Sequence, residues 1–224
     1  WQRDDHILAR LARNAAEFPD QVALRERDRG IWQEYSWKDY LQAVTEFAAG
    51  LEARGVGPGD VVMVIGDNRP NLYFAMLGAI VLRAVPSPAY PDTTPDELLG
   101  QLTREGIRFA IAEDQEQVDK ILSFRDKMPA LADIVYDEPR GLRDYPKDGL
   151  HDFADVQAAG RALIASDPGR AGRWEEAIRN SSGDDISVML YTSGTTGRSK
   201  GVMIKAKAAV QAAYDTVAFD RLTE

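Results

Sequence analysis

The residues best suited to chemistry lie in one segment, Tyr191-Thr192-Ser193-Gly194-Thr195-Thr196-Gly197-Arg198-Ser199-Lys200-Gly201. Glycines let backbone amides approach an anion closely and tolerate positive φ. Threonine and serine hydroxyls add donors or a ligand for magnesium, and lysine brings a mobile positive charge. Together these are the makings of a polyphosphate site. No acid occurs between Ile186 and Tyr214, whereas Arg198, Lys200, Lys205 and Lys207 are all basic. In a chain of net charge −9, that stretch is where an anion is most welcome.

A Gly/Thr-rich loop is more commonly a solvated linker. Two features argue against that here: the apolar strand pattern directly before the segment, and the ordered run of hydroxyls, glycines and lysine. The segment is not a Walker A loop, which needs Gly-Lys-Ser/Thr after four spacer residues, since two residues separate Gly197 from Lys200. It is not a dinucleotide fingerprint either.

Composition narrows the rest. Of 224 residues, 44% are apolar and 28% charged, ordinary globular usage with enough chain for a sizeable core. Lys plus Arg number 27 against 36 Asp plus Glu, and the pI near 4.9 argues against a general nucleic-acid binder. Absence of cysteine excludes disulfides, thiolate metal sites and a cysteine nucleophile; two histidines exclude a histidine-rich metal centre. The apolar run from Phe74 to Leu82 falls short of the ~20 residues of a membrane span, and no signal peptide is evident. A cytoplasmic protein is expected, with at most peripheral membrane contact.

The loop must be positioned by alternating helices and strands. Helices are predicted over 6–18, from the Ser36 N-cap to near Gly55, and over 71–82, 96–104, 115–125, 153–165 and 205–219. Strands are predicted over 22–25, 31–35, 61–65, 109–112, 134–136 and 186–191. Val61 to Ile65 is apolar throughout, the pattern of a strand buried on both faces of a parallel sheet. Pro86, Pro88, Pro91 and Pro95 forbid regular structure throughout 84–95, and 167–183 shows no clear period. The fold class is α/β, a mostly parallel sheet flanked by helices.

Other candidates read more simply as structure. Trp32, Tyr35, Trp37 and Tyr40 are expected to be core aromatics rather than a ligand platform, and Tyr73, Phe74 and Met76 helix packing. Asp152 and Asp155 beside His151 suit the first turn of a helix better than catalysis. Asp184-Asp185 is expected to be a solvated turn.

The segment from Tyr191 to Gly201, continuing into Val202-Met203-Ile204, resembles the phosphate-binding signature of the adenylate-forming superfamily. That group comprises acyl-CoA synthetases, peptide-synthetase adenylation domains and luciferases. Residues 35–60 and 61–95 resemble its entry helix, first buried strand, apolar helix and proline-rich turn. Residues 109–114 with Gln117 and Lys120, and 134–137 with Gly141-Leu142, look most like the long-chain fatty acyl-CoA synthetase branch. The chain departs from the pattern at Ser199, where proline is commoner, and at Lys205-Ala206, where a Ser/Thr-His pair is frequent. The first departure predicts a looser turn; the second removes a histidine thought in relatives to shape the acyl site.

The resemblance implies a chain forming the front part of the large N-terminal AMP-binding domain, residues 1–224, with the C-terminal domain absent from it. It implies an enzyme that uses ATP, Mg2+ and coenzyme A to activate a fatty acid through an acyl-adenylate. Thr192, Ser193, Gly194, Thr195, Thr196, Gly197 and Lys200 would contact phosphate, Lys200 would carry the catalytic charge, and Thr192 would touch magnesium. The chain alone is expected to be inactive, and exposed domain surfaces make an oligomer an expectation. Rival readings are an adenylating enzyme for an aryl or amino acid and a non-catalytic adenylate- or acyl-binding module of the same fold. A scaffolding role gives no reason for the loop.

Overall fold

A computed structural model describes residues 6–192 and 200–220. The chain begins with α1 (Ile7–Glu17), started by His6, whose Nδ1 accepts from the Leu8 amide at 3.1 Å. Strands β1 (Val22–Asp28) and β2 (Ile31–Ser36) form an antiparallel hairpin. Arg29 and Gly30 both have positive φ, 47° and 85°, the tight turn whose twist matches a hairpin. Helix α2 (Trp37–Ala53) opens on the predicted cap: Ser36 accepts from the Asp39 amide, and Asp39 returns the bond to the Ser36 amide.

The central sheet is built from β3 (Val61–Ile65), β4 (Val85–Ala89), β5 (Phe109–Ala112), β6 (Asp133–Tyr136) and β7 (Leu150–Asp152). All are parallel, in the order β4-β3-β5-β6-β7. The connection from β3 steps outward to β4, and the next returns across β3 to β5. A right-handed crossover therefore puts α3 (Pro70–Val81) on one face and α4 (Pro95–Glu105) and α5 (Gln115–Leu122) on the other. The strand residues divide accordingly. Val62, Val64, Phe109, Ile111 and Val135 pack with α1, α2 and α3; Met63, Ile65, Ala110, Ile134 and Tyr136 pack with α4 and α5. Helix α6 (Phe153–Ser166) joins the first layer against α2, where the Phe47 and Phe153 rings stack at 4.1 Å.

Four elements have no counterpart among the predicted ones. The proline-rich stretch contains β4, tolerated because it is a sheet edge. Val85 donates its amide toward Asp60 on the β3 side, so by strand alternation Pro86 and Pro88 face outward, where no ladder donor is needed. The polar stretch after 167 forms α7 (Pro168–Arg179), which buries Trp174 and Ile178. The loop before α6 ends in the short strand β7. After β8 (Ile186–Thr192) the chain forms β9 (Lys200–Lys205) before α8 (Ala206–Asp220), and β8 and β9 pair antiparallel as a separate two-stranded sheet.

Tyr40 and Phe74 are buried, and Tyr35, Tyr40 and Phe74 form one aromatic cluster. Trp32 does not join it. It is 58% exposed on the outer face of the first hairpin, opposite Arg27.

Candidate functional site

The register of β8 and β9 places the segment singled out by sequence. Thr192 pairs with Lys200 and Tyr191 with Gly201, so residues 193–199 join the two strands. Ser193, Gly194, Thr195, Thr196 and Gly197, with Arg198 and Ser199, lie outside the described residues. Thr192 and Lys200 are both exposed. As direct cross-strand partners their side chains leave the same face of the hairpin, with Cβ atoms about 4.5–5.5 Å apart. Val188, Leu190, Val202 and Ile204 continue that face as an apolar strip.

The opposite face carries Met189 and Tyr191. Tyr191 donates its hydroxyl to Glu105 Oε1, at the end of α4, at 2.9 Å. Burial, with the Glu105 carboxylate beside it, pushes the phenol well above its usual value and keeps it a proton donor. A side chain on Gly201 would place its Cβ 3.0 Å from the Met189 sulfur and 3.6 Å from Glu105 Oε1. β8 lies along the outer edge of β4, where Pro86 and Pro88 offer no donors, and takes β9 as its hydrogen-bonded partner.

The cations around the loop are not equivalent. Asp184 Oδ1 accepts from Lys205 Nζ at 3.1 Å and Lys207 Nζ at 2.8 Å, and the two lysines hold its carboxyl below the usual range. Asp185 meets Arg83 at 3.4 Å. The expected solvated acidic turn is thus the counter-charge for two of the four cations. Lys200 forms no ion pair with a described carboxylate. Where relatives are expected to carry a histidine, Ala206 is buried at the start of α8.

Of two rival locations, one is filled and the other lies away from the loop. Open α/β sheets bind ligands at the carboxyl ends of strands where connections diverge, here between β3 and β5. That crevice is filled from within. Gly66 has φ +150°, and a Cβ there would lie 2.4 Å from Glu113 Cβ. Arg69 then gathers Glu26 at 2.9 Å, Asp137 at 3.4 Å and Glu113 at 3.7 Å, while Asn71 donates to Asp137 at 2.6 Å. Burial pushes the Asp137 carboxyl up despite Asn71 and Arg69. The cluster ties the first hairpin to the sheet, and neither sequence spacing nor composition signalled it. A cavity of about 750 Å³ opens beside Arg83, Val85, Asn180 and Ile186, at the end of β8 remote from Thr192; its Arg83 is paired with Asp185.

The His151 cluster is structural. Asp152 caps α6 by accepting from the Ala154 amide at 2.8 Å, and His151 Nε2 contacts Asp133 at 2.8 Å. Among the described residues no group of three His, Asp or Glu could hold a metal, and no helix is long and apolar enough to cross a membrane.

Comparison with known proteins shows the family and the fold. The chain is 32% identical over 172 residues to 4-coumarate–CoA ligase 3 of Oryza sativa subsp. japonica, covering 77% of this chain and 27% of that protein. It is 24% identical over 188 residues to a long-chain-fatty-acid–CoA ligase of Xenopus laevis, covering 84% of this chain and 24% of that one. The fold matches the anthranilate CoA ligase AuaEII, solved with anthranoyl-AMP, with a TM-score of 0.71 at 22% identity over 90% of this chain and 35% of that one. The chain thus spans about a quarter of the length of these two sequence relatives. Residues 11–223 match the family described as AMP-binding enzyme, strand-flanked loop included, and the chain belongs to that family.

Proposed function

We propose that the chain is the front part of the N-terminal domain of an ATP-dependent ligase that activates a carboxylic acid as its adenylate and passes it to coenzyme A. The observation that carries this reading is the shared face of Thr192 and Lys200 at the two roots of the Gly/Thr-rich connection. In this reading a carboxylate oxygen bonds to the α-phosphorus of ATP as the bond to the β-phosphate bridging oxygen breaks, and pyrophosphate leaves. The chain supplies no nucleophile. Lys200 offsets charge on the departing phosphates, and the amides and hydroxyls of Ser193, Gly194, Thr195, Thr196 and Gly197 orient them, so the contribution is positional and electrostatic.

Magnesium keeps several waters and takes only one or two protein oxygens when phosphates share it. The exposed hydroxyl of Thr192, at the root of the loop, would supply one such oxygen. When bound, the metal would neutralise phosphate charge. Nothing in the described residues selects a coenzyme A site.

For the acid, we infer the long-chain fatty branch from residues 109–114 and 134–137. The similarity to 4-coumarate–CoA ligase favours an aryl acid as the second reading. The test is acid-dependent ATP–pyrophosphate exchange by the full-length protein carrying this chain, with acetate, 4-coumarate and palmitate, and Lys200→Ala alongside. Exchange greatest with palmitate and lost in the variant supports the proposal. Exchange greatest with 4-coumarate moves it to the aryl reading; none with any acid from folded protein leaves a non-catalytic binding module.

A further inference from the structure

We propose that Glu105 is a positioning residue for the phosphate loop, acting through Tyr191. The inference rests on the loop reading above and adds a residue from a distant part of the chain to it. Tyr191 immediately precedes Thr192, the first predicted phosphate contact, and stands across from Gly201, which immediately follows Lys200. Both roots of the loop therefore pass Glu105. Its Oε1 accepts from the Tyr191 hydroxyl at 2.9 Å and lies 3.6 Å from the position a Cβ on Gly201 would take.

An acid so close to an anion site needs a reason, because a carboxylate repels phosphate. The hairpin supplies a geometric one. Successive strand residues alternate faces, so Tyr191 and Gly201 turn toward Glu105 while Thr192 and Lys200 turn away. The carboxylate grips one face of the hairpin and the cation works on the other, with the backbone between them. Nothing ladders β8 to the sheet edge, because Pro86 and Pro88 face it. A hydrogen bond from the parallel-sheet domain into β8 thus fixes what the ladder cannot: where along α4 the loop root stands.

The Glu105 end of α4 is well anchored for this. Gly106 closes the helix in the left-handed conformation with φ +61°, and Leu102 and Ile107 beside it are fully buried. Burial also keeps the Tyr191 phenol protonated, so the bond persists across the pH range of phosphate chemistry.

The experiment measures ATP–pyrophosphate exchange by the full-length protein in Glu105→Ala, Glu105→Gln, Tyr191→Phe and the Glu105→Ala/Tyr191→Phe double variant, with Lys200→Ala as reference. A hydrogen bond to a charged group predicts a fall of about ten-fold in kcat/KM for MgATP in each of Glu105→Ala and Tyr191→Phe. The double variant should be no worse than either single, Glu105→Gln should recover most of the loss, and KM for the acid should not move. Multiplying effects in the double variant, or a Gln variant as poor as Ala, would overturn the inference. If Lys200→Ala is harmless, the loop reading itself fails; if Lys200→Ala is severe and Glu105→Ala harmless, only the positioning inference fails. A second readout needs no activity: tryptic cleavage after Arg198 in the 224-residue chain should accelerate several-fold in Glu105→Ala at unchanged cleavage elsewhere, and an unchanged rate there counts against the proposal.

Discussion

A Cβ on Gly160 would lie 1.8 Å from the carbonyl oxygen of Glu46, and one on Gly50 would lie 2.2 Å from that of Val156. Helices α2 and α6 thus meet backbone to backbone, each offering a glycine to the other's carbonyl. Neither obstacle is the movable end of a side chain. Gly160→Ala should destabilise the chain by at least ~1–3 kcal/mol through overpacking, although alanine would favour an isolated helix by about 1 kcal/mol. Thermal unfolding of the variant measures the balance. An unchanged or higher midpoint would mean that α2 and α6 lie further apart than the structure has them.

The same helix pair carries a pH-dependent contribution. Burial raises the Glu46 carboxyl, but hydrogen bonds from Arg161 and Gln42 outweigh it, and the value settles below the ordinary 4.5. A carboxylate with a depressed folded value stabilises the fold above its unfolded pKa, and that stability disappears as pH falls through the folded value. The Arg161 side chain is 60% exposed, so solvent screening keeps the pair's contribution small. Glu46→Gln should therefore be slightly less stable than wild type at neutral pH, with the gap closing below about pH 4.5. Urea titrations at neutral and acid pH check it; a gap that widens on acidification reverses the sign and sinks the assignment.

How much of this was legible in the sequence depended on burial. Val61–Ile65 and Phe109–Ala112 were read to the residue because strands covered on both faces leave no polar positions to blur their ends. Helix α7 was missed because, among its described side chains, Trp174 and Ile178 alone are buried, too few to set a period. Strand β9 was missed because exposed lysine and glycine at its start carry no strand signal; its register comes from β8. Thr192 and Lys200, singled out from local order, are cross-strand partners in the structure. Glu105 was not singled out, since 86 residues separate it from Tyr191 and only the fold brings them together. The local surplus of cations also misled, because Asp184 and its lysines lie on opposite sides of β8 and β9 in sequence but meet in space.

The cap at the start of α4 separates helix stability from loop positioning. Thr94 accepts from the Glu97 amide, and Glu97 returns the bond to the Thr94 amide at 3.2 Å. Thr94→Ala should cost about 1 kcal/mol in chemical denaturation. Glu105 lies at the other end of the helix, so tryptic cleavage after Arg198 should stay at the wild-type rate. Faster cleavage would show that any loss of stability opens the loop, and the cleavage readout would then say nothing specific about Glu105.

The three described lysines of the loop region should divide one against two in function. Lys205 and Lys207 already share the Asp184 carboxylate. Lys205 also leaves β9 on the face opposite Lys200, five residues further along the strand. Charge already neutralised by a neighbour adds little to the potential felt by a phosphate. Lys205→Ala and Lys207→Ala should therefore each change ATP–pyrophosphate exchange by no more than about two-fold, a surface-charge effect. In the proposed reading Lys200 offsets developing phosphate charge, and comparable donors are worth about 2.7–4 kcal/mol, so Lys200→Ala should lose roughly a hundred-fold or more. Exchange rates of the three variants at matched ionic strength decide the matter. Equal losses in all three would mean that the loop region works through its summed charge, and Lys200 would lose its special place.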